Sequence, residues 1–386
     1  MNKTIGIPKI DSAFKIGIIL LVIKTMTASS LIIGYNETVD TMLSVVAALS
    51  FVISILQKRF PPKILMIYLL IVLMALYTVL RLHSLFVFLV VITCLALRRE
   101  NIHETIRIML FYGSVWFILH TAAAIWMSFW GEPLHSVIDG QTRYHFGYSH
   151  PNTFAMVLTN LTVMWVWVNY DRINVRSIVG ILVVHLISYS LTTCRTALFA
   201  WLATALLLAI FYRREKRRKL LTAIAAVGVP LIALAIYGLM RMYLAGHPIA
   251  YVIDELLSGR IKLGAYALEY YGLSFWGQDL TDIIVVWDSD WRLSGHTFDN
   301  VYSYLMCSYG IVWLLVLVFL FYRLALIGDE KTNIMIILWM LYGISEVQIL
   351  DPYRFFPIML VATLYEHTPP KRKRRFRFTW RAAKTW

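Results

Sequence analysis

A chain of 386 residues in which 59% are hydrophobic and only 15% charged, with a mean hydropathy of +0.68, does not describe a water-soluble enzyme. Soluble domains are roughly half apolar and about a quarter charged, and the surplus apolar surface here requires lipid. This composition excludes disorder, collagen, coiled coil and a secreted disulfide scaffold together, and Cys94, Cys194 and Cys307, odd in number with two of them in apolar runs, imply no disulfide framework or Cys-rich zinc site. The net charge of +14 does not point to nucleic acid, since the basic residues lie between hydrophobic spans.

Taken in chain order, long apolar runs predict membrane helices at about 14–33, 39–56, 64–80, 84–97, 107–130, 151–169, 177–192, 196–212, 220–242, 301–322, 333–350 and 355–366. The fourth and last are short, so ten to twelve helices are expected. Only a polytopic helical bundle satisfies backbone polar groups in lipid without the alternation of a β-barrel. The expected fold is therefore all-α, a single integral membrane domain over 1–386. Lys24 interrupts the first span and no small-residue cleavage site follows, so that helix reads as retained rather than as a cleaved signal.

Counting Lys and Arg in alternate connecting segments puts 27 on the side of the N-terminus and 8 on the other, with Lys24 inside the first span. The positive-inside rule then makes both termini cytoplasmic, including a basic tail at 367–386 whose charge suits anionic headgroups. The one long extracytoplasmic segment, 243–300, holds eight acidic and three basic residues. Within it Val252, Ile253, Leu256, Leu257, Ile261, Ala265 and Leu268 recur at helical spacing, which predicts one amphipathic helix along the membrane surface. A connecting segment of that length is uncommon and usually functional. No internal repeat of the kind that builds two-fold transporters is visible.

The external set of basic residues is seven Arg and one Lys. Arginine presents a rigid fork that matches phosphate oxygens and keeps its charge when partly desolvated, so this bias fits a lipid-linked diphosphate. Arg143, His145 and His150 precede the sixth span, with Pro151 suited to the first helical turn and His150 or Ser149 to its cap. Arg195 occupies a very short turn between two apolar runs, where an arginine needs either an anionic ligand or a structural partner such as Glu346 or Asp351. Arg260 sits beside the apolar face of the predicted surface helix. His296, Asp299 and Asn300 fall where the long segment re-enters the membrane, and His is the side chain best suited to take a proton from a sugar hydroxyl near neutral pH. A polar cap made by Thr297 or Asp299 is the structural reading of the same residues. Lys24, His120 and His185 lie within spans, where ionisable groups are functional candidates or are satisfied by a neighbouring helix. Asn36-Glu37-Thr38 matches a glycosylation acceptor at a length too short to carry information.

Together, Arg143-x-His-Phe-Gly-Tyr-Ser-His-Pro-Asn, the Thr-Cys-Arg-Thr turn at Arg195, Ser-Gly-Arg at 258–260, Gly-Gln-Asp at 277–279 and His-Thr-Phe-Asp-Asn-Val-Tyr-Ser-Tyr-Leu from His296 resemble the O-antigen polymerase and O-antigen ligase superfamily of bacterial membrane glycosyltransferases. The resemblance covers about residues 140–325. It implies metal-independent transfer, outside the membrane, from a polyprenyl-diphosphate-linked oligosaccharide to a sugar hydroxyl, with no cofactor. It implies that Arg195 and Arg260, with Arg143 as a third, hold the diphosphate. His296 with Asp299 then serves the acceptor hydroxyl, and His150 and Asn300 are subsidiary members. An aspartate stands at 299 where ligases often carry a second histidine, which favours a polymerase over a ligase. The implied partners are the lipid-linked oligosaccharide, the growing glycan, membrane lipid and other polysaccharide-export proteins. A transporter or flippase of the same lipid is the reading from another class. Asp288-Ser-Asp290 resembles the metal site of nucleotide-sugar enzymes, but an external acidic segment holds such residues for ordinary reasons.

Overall fold

The computed structural model describes residues 11–58, 60–138, 140–280, 284–287, 291–294 and 298–365. His296, Asp288, Asp290, Thr297 and the basic tail lie outside the described residues. The described chain is almost wholly helical: α1 (Ser12–Thr27), α2 (Glu37–Leu56), α3 (Pro62–Leu82), α4 (Phe86–Leu97), α5 (Ile102–Ser128), α6 (Pro151–Val168), α7 (Val175–Thr192), α8 (Arg195–Phe211), α9 (Arg218–Leu244), α10 (Pro248–Leu256), α11 (Arg260–Tyr271), α12 (Val301–Tyr304), α13 (Ile311–Ile327) and α14 (Glu330–Tyr342). Two short antiparallel hairpins interrupt them, β1 (His135–Ile138) with β2 (Gln141–Tyr144) and β3 (Ile284–Trp287) with β4 (Trp291–Ser294).

Among the described residues five helices are long and apolar enough to cross a membrane: Glu37–Leu56, Pro62–Leu82, Ile102–Ser128, Val175–Thr192 and Glu215–Leu244. Phe86–Leu97, Arg195–Phe211 and Ile311–Ile327 are apolar but shorter. The distribution of side chains on the long helices is the reverse of a water-soluble bundle. α2 buries Ser44, Ala47, Ser50, Phe51 and Ser54 while Met42, Val45, Val46, Leu49, Ile53 and Leu56 are exposed. α7 buries His185, Ser188 and Thr192 and exposes Val179, Val183, Leu186 and Ile187. Small and polar residues face neighbouring helices and branched apolar ones face outward, the pattern of helices whose surroundings are as apolar as leucine.

Asparagine and aspartate side chains start several of these helices. Asn36 accepts from Val39 N (3.1 Å), so the apparent glycosylation acceptor is a helix cap. Asn101 caps α5, Asn174 caps α7 and Asp329 caps α14 in the same way. α9 packs against α11, α13 and α14, and α1 against α2 and α5. The ionisable residues inside the bundle have partners. Lys24 Nζ lies 3.6 Å from Asp40 Oδ2, His120 Nε2 is 2.8 Å from Ser30 Oγ, and His185 Nε2 is 3.4 Å from Thr159 Oγ1.

Polar contacts gather at two opposite ends. At one, Lys58 pairs with Glu100 (2.8 Å), and Tyr170 and the Arg213 backbone N–H both donate to Glu330. The first joins the ends of α2 and α4 to each other, and the second joins the ends of α6 and α8 to the start of α14. At the other end, Ser149 N donates to Ser29 O (2.9 Å) and Arg354 Nη2 to Ser29 Oγ (3.3 Å).

Four predicted helices differ from what forms. The surface helix over 252–268 is two, α10 and α11, broken at Ser258 and Gly259, both with left-handed φ (58° and 83°). α11 also packs inward, burying Ile261, Leu263, Gly264, Ala265, Ala267 and Leu268, so only α10 keeps an exposed apolar face. The span 301–322 is interrupted: α12 passes into a π-turn at Leu305–Tyr309 and ends at Gly310, where residues 274–278 hydrogen-bond across it (Ser274 N to Met306 O, Gln278 N to Ser308 O). The span 333–350 is helical only to Tyr342. A connecting loop follows, with a 3-10 turn at Gln348–Leu350, and the last apolar run is a 3-10 helix, Phe356–Tyr365.

Candidate functional site

The loop after α14 is where the predicted segments meet. Three successive carbonyls of this loop accept hydrogen bonds from two approaches: Gly343 O from Val301 N (2.9 Å) and Ile344 O from the adjacent Asn300 Nδ2 (2.9 Å), and Ser345 O from Arg260 Nε (2.9 Å). Glu346 is the next residue.

Arg260 begins α11 immediately after the left-handed Ser258–Gly259 pair, and this break turns its half-buried side chain toward the loop. Besides Ser345 O, its Nη1 donates to Leu257 O (2.9 Å) and its Nη2 to Thr196 Oγ1 (3.4 Å), which ties it to the first turn of α8. All three acceptors are neutral. The guanidinium is held in place, its charge is not cancelled by a bonded carboxylate, and it has further N–H donors to offer.

Arg195 departs from expectation. It is exposed at the first position of α8 rather than enclosed, and among the described residues it makes no hydrogen bond or ion pair. Neither of its anticipated partners is engaged by it. Asp351 instead faces Arg354 (Nε to Oδ2, 3.7 Å), and Glu346 lies within the field of Arg260 and Arg354. The reason is the tight turn before α8: Thr193 is left-handed (φ 54°), and the flanking Cys194 and Thr196 are buried while Arg195 is not. Cys194 is within the field of both Glu346 and Arg260, so Arg195 is adjacent in sequence to residues on both sides that reach the cluster.

Arg143 lies on β2 opposite Ser136 and is half-buried. His150 is the N-cap of α6, its Nδ1 accepting from Asn152 N (3.1 Å), and Pro151 fills the first helical position. Desolvation, the largest cause, and the Arg143 charge both lower the His150 imidazole below its ordinary value, while Asp299 opposes them. His145 is buried, with Nδ1 accepting from Gly147 N (3.2 Å), a role within the turn.

Asn300, rather than Thr297 or Asp299, caps α12: its Oδ1 accepts from Tyr302 N (2.9 Å) and Ser303 N (3.1 Å). With Nδ2 also committed to Ile344 O and only 1% of its surface exposed, Asn300 is a structural residue. Asp299 is released from capping. It is half-buried, and it lies within the fields of both His150 and Glu346. Asp299 therefore links the Arg143–His150 side of the cluster to the Arg260–Glu346 side.

Gly277 and Gln278, from the predicted Gly-Gln-Asp motif, bind the interrupted 301–322 segment and α3 and none of the residues above. Gln278 Nε2 donates to Cys307 O (2.8 Å), and Arg81 Nη2 donates to Gly277 O (3.3 Å). Glu346 and Arg354 are the residues of this end that sequence reasoning undervalued. In the sequence Glu346, near the outer end of an apolar run, reads only as a possible partner for Arg195, and Arg354 counts only among the external basic residues. Among the described residues no group of three or more His, Cys, Asp or Glu side chains is placed to hold a metal ion.

Comparison with protein-family models, with curated proteins and with solved structures finds no match to this chain.

Proposed function

We propose that this chain is an integral membrane glycosyltransferase that polymerises polyprenyl-diphosphate-linked oligosaccharide repeat units on the outer face of a bacterial cytoplasmic membrane. In this reading both termini are cytoplasmic and the Arg260 end faces outward. The observation that carries the proposal is the gathering of Arg260, Asp299, Arg143 and His150 at one end of an apolar helical assembly. These are residues from three separate segments that resemble the polymerase and ligase superfamily. Fixed positive charge at such an end suits a diphosphate leaving group, whose developing charge it stabilises without reorganisation.

In the reaction, the acceptor sugar's hydroxyl oxygen attacks the anomeric carbon of the donor. The bond from that carbon to the diphosphate oxygen breaks, its electron pair leaves with the polyprenyl diphosphate, and the hydroxyl proton passes to a base. Arg260, with Arg143 and the exposed Arg195, is assigned to the diphosphate. The polyprenyl chain stays in the lipid beside the apolar helices. Companion polysaccharide-export proteins supply the donor and remove the product.

The test is the length distribution of glycan on the lipid carrier in cells carrying wild type, a deletion, Arg260→Ala or Arg260→Lys. Polymerase activity predicts single repeat units accumulating externally in the deletion and in Arg260→Ala. Lysine, a point charge that cannot copy three directed N–H bonds, is expected to restore less than about a tenth of the chain growth. Long lipid-linked chains that fail to reach a final acceptor would instead indicate a ligase, and repeat units retained on the cytoplasmic side a transporter.

A further inference from the structure

Glu346 is 7% exposed as a whole residue, and among the described residues its carboxyl makes no hydrogen bond and no ion pair. A carboxyl that bonds to nothing contributes nothing to holding the fold. Yet its position is defined closely, because the three carbonyls before it accept from two separate segments, Asn300–Val301 and Arg260 itself. The charged and titratable groups facing it come from every element packed there: Arg260 from α11, Asp299 from the approach to α12, Arg354 from its own loop, Cys194 from the turn before α8 and Tyr342 from the end of α14. Arg260 carries no bonded carboxylate; its charge acts on Glu346, which directly follows the residue whose carbonyl Arg260 bonds.

We propose that Glu346 is a catalytic residue of this site, the base that takes the acceptor hydroxyl's proton as the sugar oxygen bonds to the anomeric carbon. The proposal rests on the polymerase reading and gives to Glu346 the proton-accepting role that the family resemblance implies for His296. The proton moves from the attacking hydroxyl to a Glu346 oxygen, the diphosphate leaves with the electron pair of the broken bond, and Glu346 returns the proton to water at the outer end. Burial, the largest effect, pushes this carboxyl up to about 8, with Arg260 and Arg354 acting to lower it and Asp299 to raise it. A base in that range accepts a proton near neutral pH and is neutral, hence comfortably buried, once it has done so.

The experiment uses the full-length protein in lipid nanodiscs, its own lipid-linked repeat unit purified from producing cells, and farnesyl diphosphate as a binding probe. Wild-type elongation is expected to rise with pH through about 8, as Glu346 becomes ionised. Glu346→Gln is expected to bind farnesyl diphosphate as wild type does, while elongating at least about 100-fold more slowly and without that pH limb. Glu346→Asp, which retains a carboxyl, should keep part of the rate with the limb displaced. A wild-type rate flat across this range overturns the role and needs no variant. Glu346→Gln elongating at the wild-type rate and pH profile overturns it too, as does loss of farnesyl diphosphate binding together with elongation, which would make Glu346 a support for Arg260. Failure of the wild type to elongate at all overturns the polymerase reading itself.

Discussion

Asp299 shows how much a single cap decides. Because Asn300 supplies both acceptor bonds to the first turn of α12, the neighbouring aspartate is left without that duty and sits between His150 and Glu346. The electrostatic pairing has a signed consequence that does not depend on any activity. Arg143 acts to lower the His150 imidazole and Asp299 to raise it. Arg143→Gln should therefore raise the His150 pKa and Asp299→Asn should lower it further, each followed by NMR of the labelled ring in detergent. Shifts of the same sign in both variants would show that these three residues do not form one electrostatic group. Lys24, His120 and His185 answer the same kind of question the other way, since each has a nearby partner and none joins the cluster.

At the scale of elements, the site exists because helices stop short. A continuous helix over 301–322 or over 333–350 has no free carbonyls in its interior to offer Arg260 or Asn300. The interruptions depend on glycines that tolerate what other residues do not. Gly310 adopts φ 102° and ψ 147°, and a Cβ there would meet Gly277 N and Phe275 O at 2.6 Å. Gly310→Ala is expected to destabilise the protein by roughly 1–3 kcal/mol from backbone conformation alone, with the clash in addition. Gly238→Ala in the middle of α9, with nothing within 4 Å, serves as the neutral or mildly stabilising control. Thermal unfolding in detergent measures both. Equal melting temperatures for the two variants would remove the special role given to the Gly277–Gly310 crossing.

For the whole molecule, the two polar ends and the apolar flanks of α2, α3 and α7 fit a set of helices running alternately through lipid. In the proposed reading the end that holds Lys58, Glu100 and Glu330 is the cytoplasmic one and the Arg260 end the external one. A phosphatase reporter active only outside the cytoplasm should be silent when fused after Arg214 and active when fused after Gly246. Activity in the reverse order would invert the protein and place the arginine cluster in the cytoplasm, away from any external glycan.

The sequence by itself determined the helical class, the approximate limits of most apolar helices and the segments from which Arg143, Arg260 and Asp299 come, because length, hydropathy and charge bias are local properties summed along the chain. Its reading of 252–268 as one helix failed because periodicity is blind to a two-residue left-handed break, and the β1–β2 hairpin was passed over although Asp139-Gly140 is a turn signal that could have found it. Only the tertiary structure decided that Arg195 is exposed, that Asn300 rather than Asp299 is the cap, and that the loop from Gly343 to Glu346 is where distant segments meet. Those outcomes depend on which carbonyls are left free when helices end and on which segment then lies close enough to satisfy them. Such contacts join residues as far apart as Arg260 and Ser345, a separation over which no sequence pattern carries information.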